Sequence, residues 1–487
     1  MRKHALLLTF IAAILVLGCA TAFALESTIQ PTGLYRYNKA KALQGYTLVT
    51  HNFSDRAFLL DMEGKVVHKW QMKYKAGLFA MLLPNGNLLA GGQAPEKEMP
   101  VSFGGTAGYV TEYDWNGNVV WEWKELSDTN VSHHCFDRMP NGNTLVLGWE
   151  YKSYDEAVAK GRDPKTLNPE GFDAHGKIIK GVWPDYVKEV TPDKKVVWEW
   201  HVWDHLGTGP DQWNLNFVLP KGADYMAGPD WTHFNTCSYD AKNDKIIMNS
   251  RNFGESYIID HKTGVVEWRW GNPCATGQGK CPSWIDDGDQ QIFGPHDASM
   301  EDNGNILIFD NGWYRPQGER SRVLEVNPKT NKVEWQWTTK VSSAFYTRYQ
   351  GAVQKLPNGN YFITSTHYGH LLEVTGDKKA EVVWEWFSPL SNDKPECFAK
   401  DDDGNSFGNG LLNQIHRSYR YPKDYPAFKG KDLTKKEEMV PGGCLEVWKV
   451  WEKDQAKQAK ASAPKAAPKK GAAPKAKEKV PAKKTNM

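Results

Sequence analysis

Apolar and polar residues alternate with a period of two along most of this chain, the signature of half-buried β-strands. The pattern is cleanest just after a recurrent turn, as in NGNTLVLG (141–148) and NGNILIFD (303–310). No helical period of comparable length accompanies it. The turn itself recurs as PNGN at 84–87, 140–143 and 357–360 and as NGN at 303–305. Asn-Gly predicts a two-residue hairpin in which both turn residues take positive φ. A second motif closes each unit, a strand pair ending in Trp-x-Trp: VVWEW (119–123), VVWEW (196–200), VEWRW (266–270), VEWQW (333–337) and VVWEW (382–386), with VVHKW (66–70) as a weaker copy. Spacing of two puts both indoles on one face of the strand, and packing between repeats is the role expected of them. Six units of roughly 70 residues, each with about four strands, predict an all-β fold, a six-bladed β-propeller with long inter-strand loops. A solenoid of the same repeats is the alternative. Segments 150–184, 200–230 and 271–295 read as the long loops, and 405–451 as the source of closing strands.

Three histidines share one register of this repeat. His134 stands eight residues before Gly142, and His296 eight before Gly304; His233 holds the same relation to the turn Lys242-Asn243-Asp244, with about two extra residues. The strand before each Asn-Gly turn is the candidate for the innermost strand, so these imidazoles are expected to converge on one axis. Leu78 and Gly351 occupy the register in two other units, which makes the expected site one-sided. Arg251, Arg315 and His367 fall at or just beyond the ends of the following strands. Imidazoles with one guanidinium suit an oxyanion, because Arg binds such groups through a fork of donors and His acts as nucleophile, acid or donor according to tautomer.

The chain ends change the picture in another way. Arg2-Lys3-His4, the apolar run Ala5 to Gly18 and Ala22-Phe23-Ala24 read as a secretory signal cleaved before Leu25. A lipoprotein signal at Cys19 is the competing reading. Export makes disulfides accessible, with a periplasmic disulfide-forming enzyme as a partner. Cys274 and Cys281 are the best local pair and Cys397–Cys444 a long-range one, while Cys135 and Cys237 read as buried thiols. The domain plan is therefore signal 1–24, propeller 25–455 and tail 456–487. That tail holds ten of the chain's 60 basic residues and one of its 58 acidic ones; with Arg2 and Lys3 also set aside, the body carries a net charge of −9. An acidic body argues against nucleic acid as a partner. The Lys/Ala/Pro-rich tail is expected to be disordered, a spacer or a tether to anionic envelope surfaces.

DWTHFN (230–235), Ser250-Arg251-Asn252, GPHDA (294–298) with NGNILIFDNG (303–312), and the Arg315 that follows resemble the bacterial aryl-sulfate sulfotransferase family over most of 50–390. The resemblance implies a six-bladed propeller and an exported enzyme that needs no nucleotide cofactor and no metal. It implies a phenolic sulfate donor, a phenolic acceptor and a sulfated histidine between them, hence ping-pong kinetics. By the same resemblance His233, His296 and Arg315 match site residues, and Ser365-Thr366-His367 matches the nucleophile context, with His370 as a neighbour open to the same role. Arg251, Asn235, Asn311 and His134 complete the expected substrate-binding set. Two alternatives stand beside it: a non-catalytic envelope propeller that binds or scaffolds, and a quinoprotein-type propeller suggested by HKTGVVEWRWG (261–271). Asp401, Asp403 and Asn405 have a calcium-loop flavour but read as a solvated turn.

Overall fold

The computed structural model describes residues 32–439 apart from 175–176, 220–227, 342–343, 392–393 and 396–413. The signal, Cys19, the tail, Cys397, Cys444 and the Asp401 turn lie outside the described residues. Six antiparallel sheets, five of four strands and one of five, follow one another along the chain. Blade 1 holds Gly45–Thr50, Arg56–Leu60 and Val66–Gln71; blade 2 holds Ala76–Leu82, Leu88–Gln93, Gly108–Tyr113 and Val119–Lys124. Blade 3 holds Asn130–Arg138, Thr144–Glu150, Asp185–Val190 and Val196–His201; blade 4 holds Phe234–Asp240, Lys245–Ser250, Glu255–Asp260 and Val266–Trp270. Blade 5 holds His296–Met300, Ile306–Asp310, Arg322–Asn327 and Lys332–Trp337; blade 6 holds Ala352–Lys355, Tyr361–Ser365, His370–Val374 and Val382–Phe387. The propeller expected from the repeat is thus the fold, with VVHKW as the outer strand of blade 1.

Both ends of the chain close the ring at one seam. Tyr419–Pro422 pairs antiparallel with Gly45–Thr50 and becomes the innermost strand of blade 1. Gly33–Tyr37 pairs with Val382–Phe387 and adds a fifth, outermost strand to blade 6. The closing strand falls within the 405–451 segment singled out from sequence.

The Trp-x-Trp strands stitch each blade to its successor. Trp70 Nε1 donates to Asp114 O, Trp121 Nε1 to Pro192 O and Trp200 Nε1 to Gly264 O. Trp268 Nε1 donates to Asn331 Oδ1, and Trp384 Nε1 to Met62 O across the seam. Between blades 5 and 6, Trp335 stacks on Tyr361 at 3.8 Å instead. Every acceptor but that ring lies in the outer hairpin of the next blade, so an indole there satisfies both its apolar face and its single donor.

The Asn-Gly turns differ from the expectation. Gly86, Gly142, Gly304 and Gly359 take positive φ between 82° and 91°, but the preceding asparagines do not. The amide of Gly86 bonds Leu83 O and that of Leu83 bonds Asn87 O, and the other three turns repeat the pattern. This is a type I turn closed by a left-handed glycine. Three of the four carry proline at the first central position, whose fixed φ suits type I and excludes a turn needing positive φ there.

Antiparallel order sends each inner strand toward its Asn-Gly turn, so its start lies at the opposite end. The loops 151–184, 202–233 and 271–295 all emerge at that starting end, while the tight turns crowd the other. Loop 151–184 carries the one α-helix among the described residues, Tyr154–Ala159, capped by Ser153. Loop 271–295 holds the Cys274–Cys281 disulfide, and Cys135 and Cys237 are buried thiols, as expected.

Candidate active site

The inner strands do not run smoothly to their starting ends. In blades 2 to 5 the register shifts near the start of the strand, and a non-glycine residue takes positive φ there: Leu78 at 93°, His134 at 47°, His233 at 47° and Asp297 at 49°. A bulge of this kind turns one side chain out of the pleat and re-aims it. Here it aims histidines inward. The His134 and His233 rings lie 4.7 Å apart, and His134 and His296 6.5 Å apart. The shared register therefore does gather the three imidazoles.

A fourth joins them. His416 precedes the closing strand, with ring centroids 6.3 Å from His134 and 6.2 Å from His296. The register is not one-sided, because the closing segment supplies the blade 1 member. The sequence signal for it was absent: the inner strand of blade 1 comes from the far end of the chain, so no Asn-Gly hairpin follows His416 to reveal its alignment.

Each axial ring is held differently. His233 Nδ1 meets Asp230 Oδ2 at 2.5 Å. His296 Nδ1 donates to Asn311 Oδ1 at 2.8 Å, while its Nε2 accepts the Gln350 amide at 3.1 Å, which fixes the tautomer. Asn311 is pinned in turn by donating to Thr347 O and Gln350 O. His134 Nδ1 lies 2.9 Å from His133 Nδ1, and His133 stacks on Trp149 at 3.6 Å with Nε2 3.0 Å from Asp185. The glycine at 105, with φ 92°, lets a loop of blade 2 lie flat on the His134 ring, where any Cβ would collide. His416 is fully buried, and among the described residues neither of its ring nitrogens has a hydrogen-bond partner.

Burial strips these rings of charge. His133 and His296 are each pushed down to about 3, chiefly by desolvation, and the charge of Arg251 adds to the effect on His296. His134 and His416 fall well below the ordinary value for the same first reason, with neighbouring cations and imidazoles adding to it. At neutral pH these four rings are uncharged, so each offers a lone pair and one N–H.

Arg251 is the cation beside them. Its amide donates to His233 O at 3.0 Å, and its guanidinium lies 4.0 Å from the centre of the Trp313 ring. Arg315 is spoken for elsewhere. It pairs with Asp310 at 2.6 Å and Asp287 at 2.9 Å, and it covers Phe293 at 4.3 Å. Two carboxylates neutralise it, and a further bond to Gln291 O ties it to the loop leading into His296. Asn235, expected as a substrate contact, donates to Pro295 O at 2.8 Å and also positions that residue.

His367 and His370 come from blade 6, and His367 rests against the segment 347–350 that also holds Asn311 and His296. His367 opens a 3-10 turn after the second strand of blade 6, its ring against Tyr349 at 4.8 Å. Burial first, then the charge of Arg348, takes it to about 4. His370 pairs with Glu385 at 2.9 Å and stacks on Phe387 at 4.1 Å in the third strand. Among the described residues, neither ring stacks against any of the four axial histidines.

Beneath the imidazoles the channel opens into a cavity of about 750 Å³. Cys135, Asp297 and Arg417, each the residue after an axial histidine, form its inner end, and Phe136, Tyr419 and Tyr421 line it further down. Arg417 pairs with Asp297 at 2.9 Å. Uncharged imidazoles, one flanking guanidinium and a water-poor axis form an arrangement for moving an oxyanionic group between acceptors.

The chain matches the sequence profile of the family described as Arylsulfotransferase (ASST) over residues 26–386. It is 29% identical to the arylsulfate sulfotransferase AssT of Lelliottia amnigena in a match that spans 24% of this chain and 24% of that protein. A Bacteroides caccae protein of unknown function overlays at TM-score 0.43 and 11% identity, over 71% of this chain and 94% of that one. The virginiamycin B lyase of Staphylococcus aureus overlays at TM-score 0.35 and 9% identity, over 74% of this chain and 89% of that one. With structural scores this low, the blade count rests on this chain's own sheets.

Proposed function

Because this chain belongs to the arylsulfotransferase family, we propose that it is an exported aryl-sulfate sulfotransferase, moving a sulfuryl group from a phenolic sulfate to a phenol through a sulfated histidine. The observation that carries the assignment of roles is the fixed tautomer of His296. Asn311 holds Nδ1–H, so the lone pair sits on Nε2 beside Arg251. On this reading His296 is the nucleophile; His367, the position suggested by sequence resemblance, keeps a buried Nε2 with no hydrogen-bond partner among the described residues and is the alternative.

In the first half-reaction His296 Nε2 attacks sulfur. The N–S bond forms as the S–O bond to the aryl group breaks, and the electron pair departs on the phenolate oxygen. The ring gains positive charge, which the carbonyl of Asn311 stabilises through Nδ1–H. The donor displaces the Gln350 amide from Nε2, and that N–H is then free to bond a sulfuryl oxygen, with Arg251 offsetting the charge of the SO3 group. His233, backed by Asp230, delivers a proton to the leaving phenolate. In the second half-reaction it takes one from the acceptor phenol as the phenol oxygen attacks sulfur and the N–S bond breaks. No nucleotide and no metal enters either step.

The test is incubation with 4-nitrophenyl sulfate with and without phenol, followed by mass analysis of the acid-quenched or base-quenched protein. Acceptor-dependent nitrophenolate release and an added sulfuryl mass on the peptide containing His296 are expected. Absence of release with every phenol tried would return the chain to the binding-scaffold reading.

A further inference from the structure

His416 is a polar side chain that the fold buries completely and does not satisfy. A neutral imidazole always carries one N–H, so whichever tautomer His416 adopts, one donor and one lone pair face the axis without a partner among the described residues. Buried donors are rarely left unmet, since each costs about 1–3 kcal/mol. The three other axial rings each have an anchor; His416 alone among the four has none shown. Its ring stands at similar distance from His134 and His296, and Phe79 at 6.0 Å packs behind it. The next residue, Arg417, pairs with Asp297 at 2.9 Å and gives the ring no hydrogen bond, while its charge helps to keep the imidazole neutral.

We propose that His416 is a further catalytic residue, donating its ring N–H to an oxygen of the sulfuryl group while that group is carried on the axis. The inference rests on the sulfuryl-transfer reading above and extends it by one specific contact. It also explains why a polar ring, rather than an apolar one, fills this position: the partner it lacks in the free protein arrives with the substrate.

The decisive comparison is His416→Phe, which keeps a planar ring and removes the donor, against His416→Gln, which restores a side-chain N–H. Loss of one preorganised oxyanion donor lowers kcat about 100-fold to 1000-fold. His416→Phe is expected to show that loss with KM changed far less, His416→Gln to recover part of it, and the thermal midpoint of His416→Phe to equal or exceed that of the parent. Independently of turnover, inorganic sulfate titrated into the parent should shift the His416 imidazole resonances in a 15N spectrum, and His416→Phe should bind sulfate more weakly. Full activity in His416→Phe, or a thermal midpoint that falls in step with its activity, overturns the inference while leaving the sulfotransferase reading intact. A parent protein that releases no nitrophenolate sinks that reading, and an imidazole unmoved by sulfate in the same sample then sinks this one too.

Discussion

Asn235 Nδ2 donates to the backbone oxygen of Pro295 at 2.8 Å, so the inner strand of blade 4 grips the residue that precedes the blade 5 histidine. The bond crosses the blade interface at the depth of the axial rings. It sets the spacing between His233, two residues upstream of Asn235, and His296, one residue downstream of Pro295.

Asn235→Asp keeps the shape and loses the donor, leaving a carboxylate against a carbonyl. A displacement on the order of 1 Å at a reacting group costs about 100-fold in rate. The expected result is a fall in kcat with a smaller change in KM for 4-nitrophenyl sulfate. Equal falls in kcat and folded fraction would mark the bond as merely structural.

The two arginines should separate. Arg251→Lys removes the planar fork beside His296 and is expected to lower kcat/KM at least 100-fold with little change in thermal midpoint. Arg315→Met leaves Asp287 without its cation and Asp310 with Arg322 alone, and is expected to destabilise the fold, as losing one partner of a buried pair does by about 3–5 kcal/mol. Denaturant midpoints and steady-state kinetics on both variants check the assignment, and the reverse pattern would restore Arg315 to the chemistry.

Gly105→Ala adds a Cβ where the His134 ring already lies, at a backbone φ of 92°. The ring must move or the loop must lift. Activity should fall sharply and the protein should lose about 1–3 kcal/mol of stability; a variant with parent activity would show that His134 tolerates displacement.

Trp384→Phe removes the indole donor that bonds Met62 O across the seam, leaving a buried carbonyl without its partner. A loss of about 1–3 kcal/mol is expected. Trp121→Phe, whose bond to Pro192 O is exposed, should cost less. The two urea midpoints, measured side by side, decide whether the seam is the weaker or the stronger joint.

Buried histidines and buried carboxylates pull stability in opposite directions as pH changes. His133, His134, His296 and His416 have folded values below the unfolded 6.5, so their contribution is complete above 6.5 and is lost as pH falls, down to about 3 for His133 and His296. Asp137 and Glu301 are raised by burial to about 6 and about 7, so their contribution is complete at low pH and is lost as pH rises through those values. The denaturant midpoint of His416→Phe should therefore fall less between about pH 6.5 and about pH 4.5 than that of the parent. An identical pH dependence in the two proteins contradicts the burial of that ring.

Periodicity made the blades legible, because the Asn-Gly turns and Trp-x-Trp strands repeat with little interruption. The same repeat located His134, His233 and His296, since equivalent positions in a closed ring converge. Role was harder to read than place. Arg315 follows a conspicuous FDNG strand, yet its charge is absorbed by Asp310 of that same motif, five residues before it, and by Asp287 from the loop that leads into His296. His367 follows the second strand of blade 6 much as Arg251 follows that of blade 4, and its ring packs on Tyr349. His416 was invisible to the repeat because ring closure borrows its strand from the other end of the chain.

That closure has a consequence for biosynthesis. Translation delivers blades 2 to 6 whole, whereas blade 1 waits for Tyr419–Pro422 to fill its innermost place. Until then Gly45–Thr50 presents an open edge and the axis lacks one of its four imidazoles. A chain cut short between the end of blade 6 and residue 416 can therefore assemble most of the wheel but not its hub. Catalytic competence becomes a readout of complete synthesis.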